Sequence, residues 1–215
     1  MEQYLVTKIE KYKGGRYSVY LNDAFAFLLY RGDLSRYGVE EGKTLSEALY
    51  REITEELLLK RARLYTMNLL QKQDRTERDL RRKLKEGLYD EKLIDGAIAY
   101  VKDYGYLDDV RYAFQFIRLK ASKYSFAEMR GKLAEKGVSR EDFEEALAQA
   151  KEEGFVDDDA ETEAIRRLIR KKCPDPATLS ETDRNRLYAS LYRKGYAVSA
   201  VEKVLEELTL SSTFS

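Results

Sequence analysis

The fold predicted from the sequence is mainly α-helical: tandem three-helix repeats in an elongated array, preceded by a small N-terminal antiparallel β-meander. Three observations predict it. The first is an internal repeat: Leu80, Leu84, Tyr89, Ile94, Ala97 and Ile98 align with Met129, Leu133, Val138, Phe143, Ala146 and Leu147, and these with Leu187, Leu191, Tyr196, Val201, Val204 and Leu205. Six apolar positions kept through three copies are the signature of a repeat architecture. The second is a series of helix-start signals, at Thr44, Thr76, Asp90, Ser125, Ser139 and Ser180. The third is composition, with two prolines among 215 residues, so helix propensity is little interrupted.

The elements follow in order. Tyr4 to Glu10 leans toward strand, Gly14-Gly15 is a turn, Arg16 to Leu21 is a second strand, and Asn22-Asp23 turns into a third over Ala24 to Tyr30. Tyr17, Val19 and Leu21 fall on one face of the pleat, and Arg16, Ser18 and Tyr20 on the other. So small a sheet has little core of its own and is expected to lean on the next helix. Thr44-Leu45-Ser46-Glu47 reads as a capping box that opens a helix reaching about Lys72. Further starts lie at Thr76, Asp90, Ser125, Ser139 and Ser180, each offering a side-chain oxygen to the orphan amides of a first turn.

Gly105-Tyr106-Leu107-Asp108-Asp109 recurs as Gly154-Phe155-Val156-Asp157-Asp158. Here a left-handed glycine ends one helix, the apolar pair packs back and an aspartate caps the next. The third copy is longer, and Cys173-Pro174-Asp175-Pro176 accommodates the excess as a loop. The expected division is a β-rich extension over 1–43 and three-helix modules over 44–107, 108–156 and 157–215. Units of this size share interfaces with their neighbours, so the chain should have a radius of gyration above the ~17 Å of a compact domain of its length.

Composition excludes much chemistry. There is no histidine, which removes imidazole bases, His-based triads and His metal ligands, and the single Cys173 excludes an internal disulfide or a Cys-rich metal site. No phosphate-binding glycine loop is present, since Gly14-Gly15 lacks the Lys-Ser/Thr that follows in a P-loop. Adjacent aspartates do not converge on one point, so Asp108-Asp109 and Asp157 to Asp159 are read as caps, not as a metal site. The reading is of a non-enzyme with no cofactor and no metal. No apolar run approaches membrane-spanning length, and a disulfide-free, signal-free chain points to the cytoplasm.

Charge is balanced overall, with 39 Lys plus Arg against 39 Asp plus Glu, yet it is sorted along the chain. Lys60 to Lys85 carries ten bases against three acids, Arg140 to Glu163 eleven acids against two bases, and basic residues return after that. The candidate contact residues are Arg75, Arg78, Arg81, Arg82, Lys83 and Lys85, of which Arg75, Arg78, Arg82 and Lys85 share a helix face. Arg166, Arg167, Arg170 and Lys171 form a second group. Such faces meet phosphates or an acidic groove, whereas any one arginine is better explained by a surface ion pair. Tyr124, in a loop-like stretch, is the freest aromatic for stacking on a nucleic-acid base.

Thr76-Glu77-Arg78-Asp79-Leu80-Arg81-Arg82-Lys83-Leu84, followed by Gly105-Tyr106-Leu107-Asp108-Asp109-Val110-Arg111-Tyr112-Ala113, resembles the RecX family. Val6 to Glu10 and Arg16 to Leu21 resemble the N-terminal extension of its longer members. The resemblance departs at Glu86-Gly87-Leu88-Tyr89, where the glycine stands one position early. It implies a monomeric bacterial regulator that binds the RecA recombinase filament, with single-stranded DNA as a further partner. It also implies tandem modules lying in the filament groove and depressed ATP hydrolysis and strand exchange. The competing readings are a stand-alone nucleic-acid-binding helical repeat and a scaffold for another protein.

Overall fold

Alternating apolar residues and two turns that admit positive φ fold the N-terminus into antiparallel strands. In the computed structural model, which describes residues 3–157, 159–173 and 175–213, these are β1 (Tyr4–Lys11), β2 (Arg16–Leu21) and β3 (Ala24–Tyr30). Asn22 and Asp23 take φ of 50° and 67°, the mirror-image turn that matches strand twist. Asn22 also ties the turn to β1, accepting from the Leu5 N–H at 3.1 Å and donating to the Gln3 carbonyl at 2.9 Å.

Thr44 does not open a helix. Thr44–Leu45 is a fourth strand, β4, paired with Leu5 and Tyr4 of β1, and the sheet order is β3-β2-β1-β4. The unpaired edge of β1 offers hydrogen bonds there, and Leu45 buries its side chain in return. The cap moves to Ser46, which accepts from the Leu49 N–H at 3.2 Å and starts α2 (Glu47–Arg51). A helix missing from the sequence reading, α1 (Arg31–Tyr37), precedes it and ends on Gly38 at φ 61°. After α2 the chain passes through a π-helical stretch, Glu52–Leu58, into α3 (Leu59–Lys72), so the long helix ends where expected. The sheet does lean on this helix: Val6, Val19, Phe27 and Leu29 share a core with Ile53 and Leu58.

The chain divides into two compact units, Met1–Asp108 and Asp109–Ser215. The first holds the sheet and the module α3, α4 (Glu77–Glu86) and α5 (Glu91–Asp103). The second holds α6 (Asp109–Lys120), α7 (Phe126–Glu135) and α8 (Arg140–Glu152), then α9 (Ala160–Lys172), α10 (Glu181–Tyr192) and α11 (Val198–Thr213). In each module the first helix packs on the third. The repeated apolar positions form the cores; all are buried except Tyr89 and Leu147, which are half-buried.

The caps at Thr76, Asp90, Ser125, Ser139 and Ser180 are all made, with side-chain oxygens 2.8–3.3 Å from the N–H three residues on. Gly105 and Gly154 take φ of 68° and 75°. Of the apolar pairs that follow, Leu107 and Val156 pack inward while Tyr106 and Phe155 stay about half exposed. Asp159 stands at the cap of α9 without a capping bond, because its backbone is already right-handed helical and not extended. Asp158 and Pro174 lie outside the described residues. The longer third connection spans residues 173–180 and contains a 3-10 turn at Pro176–Thr178.

Candidate functional site

The first cation group sits on α4 and its cap, where helical spacing brings acids as close as bases. Arg75 lies at the foot of the helix and is mostly buried, its Nη1 2.5 Å from an Asp79 carboxylate oxygen. Arg82 pairs with the other oxygen of Asp79 and with Glu86 at 2.7 Å. Arg81 holds Glu77 and, from the neighbouring helix α5, Asp95, each at 2.7 Å. Lys83 reaches Glu86 at 2.9 Å and Lys85 reaches Glu91 at 2.7 Å. Arg78 is exposed. A block that is strongly basic along the chain is thus largely neutralised in space.

The carboxylates record this. Burial pushes the Asp79 carboxyl up, but hydrogen bonds from Arg82 and Arg75 outweigh it and hold it below the usual range. Burial acts on Glu77 in the same way and is overcome by Lys102 and Arg81. These are helix and interhelix ion pairs, which order α4 against α5 and leave little net charge for a partner.

The second cation group lies on α9. Arg166 turns inward to Glu163 and, at 2.7 Å, to Glu207 of α11. Arg167 is exposed and donates to the Ser122 carbonyl. Arg170 and Lys171 are exposed and have no acidic partner among the described residues. With Arg167 they follow the i, i+3, i+4 spacing of one helix face, in the last turn, where positive charge also complements the helix dipole.

Tyr124 is not the free ring the sequence suggests. It is half-buried against the second-module core, and its ring lies 4.8 Å from the Lys132 ammonium and 5.2 Å from that of Lys123. Among the described residues no group of three or more Asp, Glu, Cys or His is placed to hold a metal ion, and no helix is long and apolar enough to cross a membrane.

Within the second unit the two modules meet at a close contact. Ser125 Oγ donates to the Lys194 carbonyl at 2.6 Å, and the Phe126 N–H donates to Glu161 at 2.8 Å. Gly195, at φ 85°, lies so near that an added Cβ would be 2.8 Å from Ser125 Oγ. Sequence reasoning missed this contact, and also the pairing of Arg61 with Asp33, where the two terminal guanidinium nitrogens donate to the two carboxylate oxygens at 2.7 and 2.9 Å. Partners so far apart in the chain leave no local pattern to read.

Comparison with known proteins agrees with these modules. Family models for the first, second and third three-helix domains of RecX match residues 62–100, 108–147 and 159–205. A protein named Regulatory protein RecX from Clostridium acetobutylicum is 29% identical over 97% of this chain and 98% of its own length. Its namesake from Caldanaerobacter subterraneus subsp. tengcongensis is also 29% identical, over 94% and 98%. A crystal structure titled as regulatory protein RecX superposes with a TM-score of 0.62 at 23% identity, covering 94% of this chain and 99% of that one. A RecX structure from Lactobacillus salivarius gives 0.63 at 22%, covering 71% and 97%. With three domain matches in order and curated relatives spanning nearly its whole length, the chain belongs to the RecX family of regulatory proteins.

Proposed function

We propose that this protein is a non-catalytic cytoplasmic regulator that binds the RecA filament on single-stranded DNA and restrains ATP hydrolysis and strand exchange. The observation that carries the reading is the ordered match of all three modules to the RecX family. A row of similar modules offers several modest contacts to a polymer of identical subunits, and linked contacts reinforce one another without any single strong site. A protein bound across neighbouring subunits favours one filament state over another by its differential affinity, and so slows the rearrangements that turnover needs.

The ten cations singled out from sequence remain the proposed contacts, with different weights. Arg167, Arg170 and Lys171 on α9 face outward and carry the least compensated charge. Arg75, Arg81, Arg82 and Lys83 are engaged with carboxylates and must exchange those partners to bind an anion.

Titrating the protein into RecA hydrolysing ATP on single-stranded DNA tests the reading. Substoichiometric amounts are expected to lower the steady-state rate. A rate unchanged across a full titration overturns the proposal.

A further inference from the structure

The first unit contains a cleft of about 660 Å³ between the sheet, α3 and the turn joining α4 to α5. Its walls carry Lys13, Arg16, Tyr30, Arg61, Tyr65 and Tyr89, with Glu86, held by Arg82 and Lys83, and Asp90, which caps α5, at the α4–α5 turn. None of the ten cations described above lines it, though Glu86, the partner of Arg82 and Lys83, does.

Three features make it a built site. The first is its aromatic surface. The Tyr65 and Tyr89 rings lie within 25° of parallel with centroids 6.3 Å apart, and Tyr30 is 46% exposed. Arg61 is clamped by Asp33 and lies 5.0 Å from the Tyr30 ring centre, which holds that side of the cleft in place.

The second is uncompensated charge. Lys13 and Arg16, beside the Gly14-Gly15 turn, both lie against the Tyr12 ring at 5.6 and 5.3 Å and have no carboxylate partner among the described residues. Arg16 and Arg61 both act on the Tyr89 hydroxyl, whose pKa burial nonetheless raises, so the phenol stays neutral and able to donate.

The third is local conformation. The π-helical stretch ends at Leu58, on the cleft wall. Departures from the α-helical repeat toward π geometry are frequent at functional sites. The exposed Asn68 amide adds a donor and an acceptor.

Flat aromatic faces beside two free cations and an amide match a ligand that is itself flat, polar-edged and anionic. We propose that this cleft binds a nucleotide unit, with its base against the tyrosine rings and its phosphate at Lys13 and Arg16. The same chemistry is offered by a free mononucleotide and by one unit of a single strand. The proposal does not rest on the RecA reading.

The test uses the full chain without RecA, so failure here leaves that reading untouched. Calorimetric titration with adenosine 5′-monophosphate and anisotropy of a labelled single-stranded oligodeoxyadenylate form its two arms. Saturable binding in at least one arm is expected; the mononucleotide arm identifies a free nucleotide as the source, the strand arm alone a polymer.

Lys13→Glu with Arg16→Glu is expected to weaken binding at least about tenfold, as losing charge-assisted contacts does. Tyr30→Ala should weaken it about tenfold, as loss of one stacking ring does, whereas Tyr30→Phe should retain it. Lys120→Glu with Lys203→Glu, the same charge change in the second unit, should leave affinity unchanged. No saturable binding in either arm at millimolar ligand overturns the proposal. So does equal weakening by the control pair, or capture of an acidic peptide in place of both nucleotide probes. If Tyr30→Ala loses its helical circular dichroism, the surface pair Lys13 and Arg16 decides the outcome.

Discussion

Leu88 shows what a one-residue shift of a glycine does. It occupies the place held by Gly137 and Gly195 in the other modules, all three with positive φ, at 62°, 93° and 85°. A side chain in the left-handed region costs roughly 1–2 kcal/mol, partly offset by the entropy a glycine loses on folding. Leu88→Gly is therefore expected to raise stability by about 0.5–1 kcal/mol, read as a higher urea midpoint. A lower midpoint would show that the contacts of Leu88 outweigh its strain. Tyr196 is the opposite case, a residue placed well whose hydroxyl has no hydrogen-bond partner among the described residues. Burial, with Glu161 and Glu128 adding to it, pushes its pKa up to about 12. Tyr196→Phe should change stability at pH 7 by less than about 1 kcal/mol, while Tyr196→Ala should cost about 3–5 kcal/mol in lost packing. The folded pKa is above the unfolded one, so the wild type keeps this contribution below pH ~10 and loses it as pH rises toward ~12. Wild-type stability should fall away from that of the Phe variant across that range, and parallel curves would show that Tyr196 does not carry the effect.

Between elements, one ion pair fastens α1 to α3. Asp33 accepts from the Tyr30 N–H at 2.8 Å and from both nitrogens of Arg61. Burial alone would raise its carboxyl pKa; Arg61 and the Tyr30 N–H outweigh that and hold it below the usual value. A depressed folded pKa means the stabilisation is present above the unfolded value near pH 4 and is lost as pH falls through the folded one. Asp33→Asn should cost about 1.5–3 kcal/mol at neutral pH, with the gap to wild type closing below pH ~4. A gap unchanged down to pH 2 would remove the charge from the argument. The helix caps needed no such distant partner. Ser, Thr and Asp at the starts of α4, α5, α7, α8 and α10 act three residues away along the chain, and their effect was legible in the sequence. The start of α2 was misread because Thr44-Leu45 fits a strand edge as well as a cap, and only the presence of β1 decides between them.

For the molecule as a whole, charge sorted along the chain proved a poor guide to charge exposed in space. Reversing Arg78, Arg81 and Arg82 to Glu would set like charges against Glu77, Asp79, Glu86 and Asp95, so that variant should melt earlier as well as bind less. Arg170→Glu with Lys171→Glu breaks no such network. It should leave helical circular dichroism unaltered and weaken inhibition of RecA ATP hydrolysis at least about threefold, as losing one surface contact does. Undiminished inhibition by the folded double variant would assign those cations to the helix dipole alone.

The sequence by itself determined the repeat, the helices of its modules and most of their caps, and the apolar positions that became the cores. All of these depend on periodicity and on neighbours within a turn or two. It determined family membership too, because the motifs lie in the same local runs. Only the tertiary structure decided which cations are neutralised, how Ser125 meets Gly195, and that Tyr30, Tyr65 and Tyr89 face one cleft. Those outcomes depend on side chains brought together from distant parts of the chain, where Coulomb and packing energies act over a few ångströms and separation in sequence says nothing about separation in space.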